Sequence, residues 1–192
     1  MKNIFKLIIT ILIIFAIPSY GICQTASDIR MLKSKGISAY KEQKYQEAVK
    51  YLVSIPDEKQ DYTTVLLLAN SFECLGNSKA AIILLENQDK KDKKNYRAFY
   101  NLGNIYQKEK YYRDSIEAYQ RSIKLRGNFP EAYYNLSISY FKIGEYQKAA
   151  KILEQGIKFS PKNIKNYYYN LGVCLETAGK AKEAKKYFEL AE

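Results

Sequence analysis

The amino-acid sequence predicts an all-α chain, a solenoid of about five helix–turn–helix units. Three observations predict it. A block of apolar and aromatic residues recurs every 34 or 35 residues through most of the 192-residue chain. Within each period the apolar positions fall at helical spacing, and no segment reads convincingly as a strand. Turn dipeptides, Gly76-Asn77, Gly144-Glu145 and Gly179-Lys180, divide periods into halves. One helical pair cannot bury its own apolar face, so a fixed period of this length marks units that stack on their neighbours.

The chain opens on a different pattern. Lys2 and Lys6 stand without a nearby acid, and an apolar run follows from Leu7 to Ile17, interrupted only by Thr10. At about 1.5 Å per residue this run covers roughly half of a bilayer's hydrocarbon core. Residues 1–23 read as a secretory signal peptide, with Gly21 and Cys23 at the −3 and −1 positions of the cleavage site. Two other readings stay open. One is an uncleaved membrane anchor, because no A-x-A site is present; the other is a lipid-modified Cys23, against which the bulky Ile22 argues. Export, to the periplasm or beyond, follows from all three. A short linker, 24–28, then leads into the array at 29–192.

The units follow in order. The first, about 29–61, opens with Leu32, Gly36 and Tyr40 and continues with Ala48 and Leu52 until Pro56 cuts its second helix short. The second, about 62–95, carries Leu68 and Phe72, then Ala81 and Leu85. The third, about 96–129, runs Phe99-Tyr100-Asn101-Leu102-Gly103-Asn104-Ile105-Tyr106, then Ser115 and Tyr119. In the fourth, about 130–164, the same places hold Tyr133-Tyr134-Asn135-Leu136-Ser137-Ile138-Ser139-Tyr140, then Ala149 and Leu153. The fifth, about 165–192, has Tyr168-Tyr169-Asn170-Leu171-Gly172-Val173-Cys174-Leu175, then Ala184 and Phe188. The glycines and small residues are expected to let paired helices approach, with the large rings filling gaps between units. Val49, Ile82, Ile116 and Ala150 are answered in the last unit by Lys185, and Ile123 and Ile157 by Glu192. Charge at those places is what a polar end cap needs, so the array is expected to end with the fifth unit.

The third unit, Phe99-x₂-Leu102-Gly103-x₂-Tyr106 followed by Ser115-x₃-Tyr119, resembles the tetratricopeptide repeat (TPR), whose pattern is W-x₂-L-G-x₂-Y, A-x₃-F and a closing proline. The fourth resembles it through Tyr133, Leu136, Tyr140, Ala149, Leu153 and Pro161. The resemblance implies a right-handed superhelix with the first helix of each unit lining a concave groove, and a binding role without catalysis. It places Tyr100, Tyr134 and Tyr169 in one ladder along that groove and Asn101, Asn135 and Asn170 in another, with Arg97, Asn104, Gln107, Glu131, Ile138 and Phe141 beside them. Amides would bond the backbone of an extended partner segment and tyrosines would give flat contact area with a polar tip. The cationic clamp by which some TPR domains grip chaperone C-termini is not matched: Tyr100, Asn104, Asn135, Asn166 and Asn170 stand at its places, so the asparagines agree and the cations are missing.

Composition removes most chemistry. The chain has no His, so it holds neither a Ser-His-Asp nor a Cys-His arrangement, and its three Cys cannot form a Cys₄ site. Cys74 and Cys174 lie three units apart, too far for a disulfide, and read as small half-buried hydrophobes. No nucleotide loop fits: six residues separate Gly172 from Gly179-Lys180, and Ala181 follows the lysine. Carboxylates near lysines, such as Glu145 with Lys148 and Glu183 with Lys186, read as solvated faces. No cofactor and no metal is expected, and no enzyme.

Charge supplies a second reading. The formal net charge is +11, and loss of residues 1–23 takes Lys2 and Lys6 with it and leaves +9. Lys90, Lys91, Lys93 and Lys94 form the densest cluster, a place for an anionic lipid or cell-wall polymer, while export argues against nucleic acid. The sequence therefore predicts an envelope adaptor that binds a protein segment, with a basic peripheral protein held on an anionic surface as the alternative.

Overall fold

A computed structural model describes residues 25–159 and 161–192, apart from the side chains of 89–91. The predicted leader, its cleavage site and Cys23 lie outside the described residues. Among the described residues there are ten α-helices and no strand. They are α1 (Ala26–Lys41), α2 (Tyr45–Val53), α3 (Tyr62–Cys74), α4 (Ser78–Lys91), α5 (Tyr96–Lys108), α6 (Tyr112–Leu125), α7 (Pro130–Lys142), α8 (Tyr146–Ile157), α9 (Ile164–Thr177) and α10 (Ala181–Ala191). Each packs on the helix before and the helix after it, and α1, α3, α5 and α7 also touch in succession. That is the pattern of an all-α solenoid.

Local chemistry sets the helix ends. Thr25 and Asp28 form a capping box, the Asp28 N–H donating to Thr25 Oγ1 at 3.1 Å and the Thr25 N–H to Asp28 Oδ2 at 2.9 Å. Residues 26–28 are thus the first turn of α1, not the linker expected there. Asp61, Asn77 and Asn95 cap α3, α4 and α5 through their side chains, and Pro130 opens α7. The second helix of the first unit is cut to nine residues, and Pro56 leads instead into a short 3₁₀ turn at Asp57–Lys59.

Inside each unit the chain turns the same way. The N–H of Lys44, Asn77, Tyr111, Glu145 and Lys180 donates to the carbonyl five residues back, at 2.8–3.0 Å. This closure needs a left-handed residue just before the donor. Gly76, Gly144 and Gly179 supply it at φ 78°, 82° and 81°, whereas Gln43 and Lys110 adopt it at 60° and 64° without being glycine.

Packing within the units corrects the expected role of the large side chains. A Cβ on Gly103 would lie 2.6 Å from the Tyr119 ring, one on Gly172 2.6 Å from Phe188, and one on Gly36 2.5 Å from Leu52. These side chains therefore lie across the glycine of their own unit. The register residues Leu68, Leu102, Leu136 and Leu171 are buried, as are Ala48, Ala81, Ser115, Ala149 and Ala184. Lys185 is exposed. Glu145 pairs with Lys148 at 3.2 Å as expected, whereas Glu183 pairs with Lys180 at 3.1 Å and not with Lys186.

Three apolar clusters form the core. Leu52, Ile55 and Leu68 join units one and two; Val65, Ala69, Ala81, Leu85, Leu102 and Ile105 join units two and three. Leu153, Tyr167, Leu171, Cys174 and Leu175 are central to the third, which joins units four and five. The joint between units three and four is different. It buries Tyr119, Ala132 and Leu136 but is threaded by hydrogen bonds: the Ser115 and Ser139 hydroxyls pair at 2.8 Å, and Gln107 Nε2 donates to Ser139 Oγ at 2.7 Å and to the Asn135 carbonyl at 2.8 Å.

Candidate functional site

The asparagine and tyrosine ladders form, but they are bonded to each other. Asn101 Nδ2 donates to Tyr62 Oη at 2.8 Å, Asn135 Nδ2 to Tyr100 Oη at 3.2 Å, and Asn170 Nδ2 to Tyr134 Oη at 2.7 Å. Each rung ties one unit to the next. Asn135 Nδ2 also donates to Asn104 Oδ1 at 2.9 Å, and the same oxygen accepts from Tyr119 Oη at 2.9 Å. Of the amide N–H groups expected to bond a partner's backbone, both of Asn135 and one each of Asn101 and Asn170 are committed inside the chain. This is a correction with a simple cause: a half-buried amide between helices takes the nearest acceptor.

The Asn135–Tyr100 rung borders a cleft of about 100 Å³ lined by Tyr100, Pro130, Glu131, Tyr134, Asn135 and Tyr167, together with Pro161 and Asn163. Its walls come mainly from α5, α7 and α9, the first helices of units three to five. The Tyr134 and Tyr167 ring centroids are 5.2 Å apart. Burial raises the phenol pKa of Tyr100, Tyr119 and Tyr167, so all three stay neutral donors across the physiological range.

The other expected site residues spread around this cleft. Glu131 is exposed at its rim, and Ile138 is half-buried on the same helix. Tyr169 is 58% exposed, its ring 5.9 Å from Phe188. Phe141 packs edge-on against Tyr146 at 5.0 Å, and Gln107 serves the joint described above. In the fifth unit the fully buried ring is Tyr167 and not Tyr168, which had been aligned with Phe99 and Tyr133. Tyr167 fits because Gly156 lacks a side chain: a Cβ there would meet the Tyr167 ring at 2.7 Å and Tyr133 Cβ at 2.9 Å.

Arg97 lies against Tyr96, its guanidinium carbon 5.6 Å from the ring centroid, and its Nε donates to Tyr96 Oη at 3.0 Å. Arg126, which the repeat pattern does not single out, sits on the same ring at 4.7 Å and also donates to Tyr96 Oη. Phe129 joins them, 5.2 Å from Tyr96 and 4.9 Å from Tyr100. Tyr96, Arg126 and Phe129 lie at unit boundaries, where the repeat pattern specifies little; adjacent aromatic and basic residues were the one available clue.

Among the described residues no group of three or more potential ligands stands ready for a metal ion, and no helix is long and apolar enough to cross a membrane. Cys174 is buried, which pushes its thiol up to about 11, while Cys74 is exposed and not half-buried as expected.

Comparison with known proteins completes the picture. Residues 96–129 and 130–163 match one tetratricopeptide-repeat family model and residues 166–192 match another. A stretch of 77 residues, 40% of the chain, is 29% identical to sperm-associated antigen 1 of Rattus norvegicus, and one of 74 residues, 38% of the chain, is 30% identical to that of Mus musculus. The chain spans 9% and 8% of the length of these two relatives. A crystal structure of MamA protein superposes at a TM-score of 0.79 with 25% identity, over 87% of this chain and 91% of that one. MamA from Desulfovibrio magneticus RS-1 shares the fold at a TM-score of 0.77 with 18% identity, over 88% of this chain and 95% of that one. With three units matched directly and the same register running back through α1 to α4, the chain belongs to the tetratricopeptide-repeat superfamily.

Proposed function

We propose that this chain, a tetratricopeptide-repeat scaffold for protein–protein interaction, works without catalysis in the cell envelope and takes an extended partner segment in the cleft between α5, α7 and α9. The observation that carries the reading is the cleft itself: half-buried aromatic rings at Tyr100 and Tyr134 with the buried Tyr167 behind them, an acidic rim at Glu131, and the edge of Asn135. The Tyr100 and Tyr134 rings offer flat contact area with a polar edge. Export rests on residues 1–23, whose basic start and apolar run read as a secretory leader. The chain's lack of histidine supports a binding role over hydrolytic or proton-transfer chemistry.

The test is affinity capture on residues 25–192, which contain all ten described helices, from detergent-solubilised envelope of the native cell. At about 1 M salt, where charges are screened beyond ~3 Å, a groove-bound protein should remain while material held by charge alone washes away. Because Asn135 also ties two units together, Glu131→Lys is the cleaner variant: it reverses charge at the rim and touches no rung. Loss of a discrete captured protein with Glu131→Lys supports the reading. Capture that survives this change, or that vanishes in salt, sinks it.

A further inference from the structure

Tyr96 holds two cations on one oxygen. Its hydroxyl accepts from Arg97 Nε and from Arg126 Nη1, and both guanidiniums lie beside its ring. Two donors that share an acceptor sit within about 6 Å of each other, the sum of two hydrogen-bond lengths. Like charges so close repel, and they are normally offset by a carboxylate between them. Here none is present among the described residues. Among the described residues the acid partners go to Lys33, Lys44, Lys108, Lys148, Lys180 and Lys185, and neither arginine has one within 4.0 Å. The remaining contact of Arg126 Nε is neutral, with Asn128 Oδ1 at 3.3 Å. Both side chains are exposed, and Phe129 flanks Arg126 at 5.8 Å.

The pair is therefore held in place by aromatic rings, doubly charged and with no carboxylate partner among the described residues. Planar guanidiniums arranged this way suit an oxyanion, which each can meet with two parallel N–H groups. From this pair an aromatic path leads to the cleft, from Tyr96 to Phe129 and from Phe129 to Tyr100, with ring centroids 5.2 and 4.9 Å apart.

We propose that Arg97 and Arg126 together bind one carboxylate or phosphate group, and that the segment entering the cleft carries it as an acidic or phosphorylated side chain. The source of the anion rests on the groove reading; the anion site itself does not. The preference is thus for a partner with a negative group a few residues from an apolar stretch that crosses Phe129 and Tyr100.

Inorganic phosphate is the first probe, titrated into residues 25–192 while the Nε–H resonances of Arg97 and Arg126 are followed by NMR. Both should move saturably with phosphate and not with chloride at matched ionic strength, and Arg126→Gln should weaken the response of Arg97 about tenfold or more. Equal movement with chloride overturns the site. Flotation with vesicles of phosphatidylglycerol in phosphatidylcholine assigns the source. Binding to vesicles that is lost in Arg126→Gln makes the anion a lipid head group and overturns the partner-segment assignment. Capture of the partner should fall with Arg126→Gln, as it should with Glu131→Lys. Capture lost with Glu131→Lys but kept with Arg126→Gln overturns the assignment of the anion while leaving the cleft in use; capture insensitive to both removes the groove reading, and the phosphate titration still judges the arginine pair.

Discussion

Gly156 and Tyr167 are a matched pair, and each explains the other. Where units three and four place Ala98 and Ala132, unit five has Tyr167, and the helix that faces it gives up its Cβ at Gly156. Gly156→Ala should overpack this contact by about 1–3 kcal/mol. Tyr167→Ala alone should cost about 3–5 kcal/mol by leaving a cavity. In the double variant the clash with the Tyr167 ring is gone and only the approach to Tyr133 Cβ at 2.9 Å remains, so the combined loss should be smaller than the sum of the two; a thermal or urea double-mutant cycle measures the coupling, and simple additivity would refute the pairing. This detail was not legible in the sequence. Tyr167, Tyr168 and Tyr169 stand in a row, and period alone cannot say which one turns inward. What decides it is a missing side chain eleven residues earlier, on another helix.

At the level of the element, the five turns obey one geometry although the sequence advertises it only three times. Gly76, Gly144 and Gly179 were readable because glycine tolerates positive φ; Gln43 and Lys110 were not, because the hydrogen bond that closes the turn imposes the conformation on whatever residue is there. A side chain in that conformation costs about 1–2 kcal/mol. Lys110→Gly should therefore stabilise the chain by about 1 kcal/mol, net of the added freedom of the unfolded glycine, and raise Tm by about 2–4 °C. A lower Tm in that variant would contradict the assigned turn. The helices themselves were largely legible, because their apolar spacing is strong and stacking demands it. The site was legible only as a face. Spacing put Tyr134, Asn135 and Asn170 on the first helices of their units, but it carried no information on which acceptor each amide would choose. Nor did it point to Arg126 and Phe129, which lie between periods.

For the molecule as a whole, what matters is that its joints are unlike. Three are centred on apolar clusters, with hydrogen bonds such as Asn101–Tyr62 and Asn170–Tyr134 beside two of them, whereas the one between units three and four carries the denser network of Ser115, Ser139, Gln107 and the Asn135 amide. An array of this kind melts cooperatively only while every joint holds its neighbours together. Ser139→Ala leaves one N–H of Gln107 without an acceptor, the other still held by the Asn135 carbonyl, at a cost of about 1–3 kcal/mol. It should also loosen the coupling between the two halves, so that the urea m-value falls along with the midpoint. An unchanged m-value with only a shifted midpoint would show that the joint is no weaker than the others. The mixed joint has one more consequence. Parting hydrocarbon from hydrocarbon raises heat capacity, whereas trading hydroxyl and amide bonds for bonds to water lowers it. Opening this joint should therefore raise the heat capacity by less than opening one of the other three.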